Sequence, residues 1–298
     1  MTDCIVPNLG PCAADGPTIS VVMPTFHRAH QIGDSIRSLL HGTWNDFELL
    51  VCDDGEGEDG TQDAVASAAG GDPRVIYYKN ARRLGMPGNL NSGIERTVGR
   101  YIAVCHDHDL YAPDFLSAMR EALASHPSAL YVHCGIAVVD QAGNITGEHI
   151  GVWPALTEGN EWLRFMLHSL HCPVCALTLV RREAHEKYGL YDPTYGFVAD
   201  VELWLRLAAR GDVVYVARPL IRVREREANH WANGQSSRHM RSIAAAQRKY
   251  VGHAGGVLKS AAYRLRIEAN LSRAAIRAGA HRAYRVYRVS SHHAVTEG

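Results

Sequence analysis

The chain has 298 residues, 46% of them hydrophobic and 21% charged, with 31 Lys+Arg against 31 Asp+Glu for a formal net charge of zero. That length holds one large α/β domain with an accessory segment or two modest domains, and the composition excludes disordered and fibrous chains. The balanced charge points away from a nucleic-acid partner. No apolar run reaches the roughly 18–20 residues of a membrane-spanning helix, and no basic stretch followed by an apolar core opens the chain, so a cytoplasmic protein without a transmembrane segment is predicted.

After a loose leader, residues 1–17, the run TISVVMPTF reads as a continuously apolar strand buried on both faces. Ile32, Ile36, Leu39 and Leu40 then recur at helical spacing between His30 and Leu40. The unit repeats as FELLVC with an acidic loop and an Ala-rich helix, VIYYKN with a Gly/Asn loop and a helix, and YIAVC followed by HDHD. Strands alternating with helices predict an open, mostly parallel sheet covered on both faces, with ligands at the carboxyl ends of its strands. Three places are thereby selected: Pro24 to Arg28, Asp53 to Asp59 and His106 to Asp109. Beyond Asp140 the pattern turns mixed, with a turn over Gln141 to Asn144, a helix around Glu161 to Leu167, a strand near Ala176 to Val180 and an amphipathic helix from Asp200 to Arg210, and the sheet is expected to extend there. Residues 236–298 read as a basic helical appendage that docks on the main domain or on a second subunit, as in a homodimer, or meets an anionic partner.

Seven cysteines, Cys4, Cys12, Cys52, Cys105, Cys134, Cys172 and Cys175, include several inside apolar runs, where a thiol packs as a small hydrophobe, and predict no disulfide framework. Cys172-Pro-Val-Cys175 has redox spacing but neither a second such pair nor a thioredoxin-like context.

Two clusters carry chemistry. Asp53 and Asp54 end an otherwise apolar strand, where a carboxylate accepts from a base imide or ribose hydroxyls, or caps a turn or helix. His106-Asp107-His108-Asp109 places four oxygen and imidazole donors at a second strand end, a set suited to Mn²⁺ or Mg²⁺ bound together with a diphosphate.

In order along Thr18 to Asn233, these motifs resemble the family 2 glycosyltransferases of GT-A fold. Ile19-Ser-Val-Val-Met-Pro-Thr-Phe-His-Arg28 is similar to the opening strand, Val51-Cys-Asp-Asp-Gly55 to the Asp-Asp-Gly strand end, and Leu84-Gly-Met-Pro-Gly-Asn-Leu-Asn-Ser-Gly-Ile94 to the Gly/Asn loop and its helix. Gly99-Arg-Tyr-Ile-Ala103 with HDHD resembles the D-x-D segment, and Ala199-Asp200-Val-Glu-Leu-Trp-Leu-Arg-Leu207 the Glu-Asp helix. The resemblance implies a GT-A open mixed sheet over residues 18–235 and divalent-metal-assisted transfer from a UDP- or TDP-sugar to an acceptor hydroxyl, with inversion. It implies Asp200 as general base; Pro24, Phe26, Arg28, Asp53, Asp54, Arg83, Gly85, Asn89 and Asp107 around the donor; Asp107, His108 and Asp109 on Mn²⁺ or Mg²⁺; and Trp231 or His230 at the acceptor or in a lid. The acceptor is a glycan, a lipid-linked sugar or a natural product.

Departures from the family pattern are specific. The customary metal carboxylate falls on His108, the acid before the base is Ala199, and the late family histidine falls near Arg226, with His230 a few residues on. These departures keep open a nucleotide-sugar-binding or regulatory protein without turnover. A nucleotidyltransferase is disfavoured, since no Gly-rich phosphate loop with a lysine lies near the N-terminus and Lys79 is the first lysine.

Overall fold

In the computed structural model, which describes Leu9 and residues 16–140, 142–168, 170, 172–174, 178–224 and 237–274, the apolar runs of the first hundred residues are parallel strands. β1 (Ile19–Thr25), β2 (Phe47–Asp53), β3 (Val75–Lys79) and β4 (Tyr101–Val104) pair in the order β3-β2-β1-β4. Their side chains alternate between two cores. Ile19, Val21, Met23, Leu49 and Val51 meet α1 (Ala29–Leu40), α2 (Thr61–Ala69) and α4 (Phe115–Ala124) on one face. Val22, Leu50 and Cys52 meet α3 (Gly85–Ile94) on the other, and α5 (Gly159–Met166), α6 (Arg182–Tyr188) and α7 (Ala199–Ala208) share that second core. Burial on both faces is why these runs are continuous rather than alternating. Gly93 is required where α3 crosses the sheet: a Cβ there would stand 2.6 Å from Val22 Cγ1 and 2.8 Å from Cys52 Sγ.

The second half extends the sheet. β9 (Thr178–Arg181) runs antiparallel between β4 and β6 (Ala129–Val139), and β10 (Asp212–Arg224) lies parallel to β6. Two reversals restore the original direction, so β1, β2, β3, β4, β6 and β10 all point one way. The short strands β5 (Leu110–Tyr111), β7 (Ile145–His149) and β8 (Leu156–Thr157) pair antiparallel at the margins. The result is the expected open mixed sheet, mostly parallel and flanked by helices, with the carboxyl ends of six strands on one side.

The C-terminal segment, read from sequence as a helical appendage that docks on the main domain, on a second subunit or on an anionic partner, packs in part into the core. Ile243, Ala244, Ala246 and Tyr250 of α8 (Ser237–Tyr250) lie in the same hydrophobic cluster as Leu203, Trp204 and Leu207 of α7. The tie is Glu202, wholly buried, which accepts from Arg206 Nη2 at 2.7 Å, Lys249 Nζ at 2.8 Å and Tyr250 Oη at 2.5 Å. A helix over 257–274 follows. None of the described helices is long and apolar enough to cross a membrane. Trp231 and His230, and the sequence after 274, lie outside the described residues.

Candidate active site

The site begins where β1 leaves the sheet. The β1–β4 ladder ends at Val22 and Val104, so Pro24, which has no N–H, sits beyond it and pairs only with Cys52. Two residues after β1, His27 adopts φ +53°, a left-handed conformation rare for a residue with a Cβ, and its Nδ1 lies 2.7 Å from Asp59 Oδ2. That turn presents Phe26, 37% exposed, with the Arg83 guanidinium 4.3 Å from its ring centroid and the His27 ring edge-on at 4.2 Å. One face of Phe26 is thus already covered by a cation.

At the end of β2 the two acids differ in their work. Asp53 is fully buried, accepting from Tyr77 Oη at 2.6 Å and the Gly55 N–H at 2.8 Å, with Lys79 Nζ at 3.8 Å. Asp54 accepts from the Leu84 and Gly85 N–H groups, each at 2.8 Å, and from Asn80 Nδ2 at 3.0 Å. Its carboxylate therefore holds the start of α3, where a negative charge suits unpaired helix donors, and three of its roughly four acceptor positions are taken. Gly85, at φ +74°, makes the turn that aims those donors. Asn89 is buried, donating to the Cys52 carbonyl at 2.9 Å and accepting from Asn80 Nδ2 at 2.8 Å. Gly85 and Asn89 thus anchor α3 on the end of β2, with Arg83 in the loop just before it.

The four-residue cluster after β4 folds as a turn. Arg28 Nε reaches to 3.8 Å from Asp107 Oδ1, joining the β1 end to it. His108 Nδ1 lies 2.8 Å from the same oxygen. A carboxylate only accepts, so this nitrogen carries a proton. His106 Nδ1 lies 3.0 Å from Asp109 Oδ2, and the His106 and His108 rings stack at 5.2 Å. One ligand atom from each of His106, His108 and Asp109 lies within 4.8 Å of the others. His106 thus groups with His108 and Asp109, while Asp107, expected beside them, bonds to His108 Nδ1 from outside the group. Two imidazoles and a carboxylate, one imidazole donating its far N–H to a second carboxylate, form a donor set for a divalent transition-metal ion.

Asp200 heads α7. Its Oδ1 accepts the Val201 N–H at 2.8 Å, and burial raises its carboxyl from 3.8 to about 6, against the opposing effects of that hydrogen bond and of nearby His106. The approach to α7 is fixed on both sides. Asn91 of α3 donates to the Tyr191 carbonyl at 2.8 Å and accepts the Tyr191 N–H at 3.0 Å. Arg206 donates to the Tyr188 and Leu190 carbonyls, each at 2.7 Å. Asn80, Asn91, Tyr77 and Arg206 were not singled out in the sequence; the asparagine-rich run 80–91 hints at the first two, and no local signal marks Tyr77 or Arg206.

The "Glycosyl transferase family 2" family model matches residues 20–189, more than half of the chain. A Campylobacter jejuni GalNAc(5)-diNAcBac-PP-undecaprenol beta-1,3-glucosyltransferase is 28% identical over 137 residues, covering 45% of this chain and 43% of that protein. An uncharacterized glycosyltransferase of Rickettsia typhi is 27% identical over 217 residues, 71% of this chain and 65% of its own length. The chain thus matches less than two thirds of either relative. Among solved structures, Staphylococcus aureus TarS 1-349 superposes with a TM-score of 0.59 at 12% identity, covering 80% of this chain and 69% of that one. The Pyrobaculum calidifontis mannosyltransferase PcManGT, in complex with GDP-Man and Mn²⁺, gives 0.56 at 16% identity, covering 97% and 83%. At such identities these two speak for the fold.

Proposed function

The chain belongs to glycosyl transferase family 2, and from that premise we propose that it passes a sugar from a UDP- or TDP-sugar to an acceptor hydroxyl with inversion. The observation that carries the mechanism is Asp200: a carboxyl raised by burial to about 6 is ionised at neutral pH yet more basic than an ordinary aspartate. In the proposed step the Asp200 carboxylate takes the proton of the acceptor hydroxyl while that oxygen attacks the anomeric carbon. The bond from that carbon to the diphosphate oxygen breaks, its electron pair leaving with the nucleoside diphosphate.

The other residues divide the binding work. Phe26 and Arg83 offer a flat surface for the base, and Asp54 keeps an acceptor position for an imide N–H after holding the head of α3. His106, His108 and Asp109 would hold a divalent ion, with Asp107 fixing the tautomer of His108. Such an ion, when bound, offsets the charge of the departing diphosphate. The acceptor is proposed to be a glycan, in line with the lipid-linked glycan in the name of the Campylobacter relative.

Asp200→Asn tests the reading. The substitution keeps the shape and removes the proton acceptor, so nucleotide affinity by calorimetry should persist while transfer falls by about 10²–10⁴-fold. NMR of the product should show the anomeric configuration opposite to that of the donor. Near-wild-type transfer by a folded Asp200→Asn protein, or retention of configuration, overturns the mechanism.

A further inference from the structure

The helix over 257–274 is held by one side only. Ile267 is buried, Tyr263 and Leu271 pack beside the same core, and Asn270 Nδ2 donates to the His168 carbonyl at 3.0 Å. With 3.6 residues per turn, Val257, Leu258, Ala261, Ala262 and Leu265 (i, i+1, i+4, i+5, i+8) fall together on a different side. All five are exposed, Val257 and Leu258 at 87% and Leu265 at 73%. Glu268 falls on this side too, between Val257 and Ala261, and its charge is matched by Arg248 Nη2 at 2.7 Å.

Cations border the apolar side on both flanks. Arg264 lies beyond Val257, and Lys259, Arg266 and Arg273 lie beyond Ala262. All four are exposed, and none is in an ion pair with a described residue. Large apolar side chains left in water between rows of cations are the pattern of a helix that lies in a bilayer interface. The charge also selects the occupant. A second copy docked face to face would set these cations against their own equivalents. The sequence after 274 carries Arg277, Arg282, Arg285 and Arg288 against a single acid, Glu297, and so has the same sign. An anionic lipid surface satisfies both the apolar side and its flanks.

We infer that the helix over 257–274 docks the protein on an anionic bilayer, laying Val257, Leu258 and Leu265 at the headgroup–acyl boundary while Lys259, Arg264, Arg266 and Arg273 meet lipid phosphates. The docking is peripheral, and it rests on the helix alone, whatever reaction the site performs.

The experiment is flotation of the full chain with vesicles of phosphatidylcholine, alone or mixed with phosphatidylglycerol. The protein should float with the mixed vesicles, roughly tenfold more than with phosphatidylcholine alone, and should be released by salt. Leu258→Asp with Leu265→Asp should lower partitioning by roughly tenfold or more, and so should Lys259→Glu with Arg266→Glu. Absence of flotation overturns the proposal. So does unchanged binding by the leucine variant, which would mean charge alone, or a leucine variant that floats like the parent but breaks an oligomer in light scattering, which would mean that a second copy covers the face.

Discussion

Removing the Glu202 carboxylate should expose how the C-terminal helix is fastened. Glu202 is wholly buried and serves three donors: Arg206, Lys249 and the Tyr250 hydroxyl. The partners differ in their access to water, the Arg206 side chain being 6% exposed and that of Lys249 38%. In Glu202→Ala, Lys249 can turn to solvent. Arg206 cannot: it keeps its bonds to the Tyr188 and Leu190 carbonyls but becomes a buried cation with no anion. Breaking a buried pair from one side costs about 3–5 kcal/mol, whereas Lys249→Ala, which removes a half-exposed partner, should cost about 1 kcal/mol or less. For a domain of this size each kcal/mol lowers Tm by about 2–4 °C, so calorimetry should separate the two variants clearly. Glu202→Leu with Arg206→Met, which removes both charges, should recover much of the loss. Equal, small effects of Glu202→Ala and Lys249→Ala would refute the reasoning, because they would mean that water reaches the network.

Chelation by EDTA should abolish transfer, and His106→Ala should raise the Mn²⁺ concentration needed as strongly as His108→Ala; full activity in EDTA refutes the assignment. Asp107→Asn should weaken metal binding by about 10–100-fold through the loosened His108 ring, read by titration of Mn²⁺ without substrate. The rate should fall on the acid side as Asp200 takes a proton near pH 6, and a limb of that position persisting in Asp200→Asn would assign it to another group. His133 lies between the Trp162 and Tyr215 rings with neither ring nitrogen hydrogen-bonded, and burial pushes it down to about 3. Its folded pKa being depressed, the unfolded chain binds more protons below pH 6.5, so stability drops as pH falls from 6.5 toward 3. The loss at pH 5 is about 2 kcal/mol, and denaturant titrations of His133→Phe should lack that part of the slope.

The parallel half of the sheet was legible because strands buried on both faces leave continuous apolar runs, and the acids and histidines that end them are conspicuous against that background. The antiparallel insertion of β9 between β4 and β6 was not: its partners lie tens of residues away and no local pattern specifies them. Asp53 and Asp54 were correctly placed at a strand end, but spacing does not reveal that Asp54 is largely spent on the Leu84 and Gly85 N–H groups. In His106 to Asp109 the donor types were visible, while the direction of each side chain depends on the backbone of a turn, which groups His106 with His108 and Asp109. Glu202 was hidden for a related reason. An acid in an amphipathic helix is ordinarily solvent-facing; Arg206 lies one turn along the same helix, but Lys249 and the Tyr250 hydroxyl, which complete its burial, arrive on α8 from beyond residue 236.

The two hydrogen bonds between Asn91 and the backbone of Tyr191 bear on how this protein can be engineered. The run from Tyr191 to Val198 reads as a contiguous segment leading into α7. Its first residue, however, is fastened at both its N–H and its carbonyl to a helix a hundred positions earlier in the chain, whose own start is gripped by Asp54. A graft of 191–198 alone would sever that fastening unless the recipient carries an asparagine at the matching place on α3. The transplantable unit is therefore discontinuous, pairing the segment with α3, and chimeras designed on contiguous sequence would lose the fixed approach to α7.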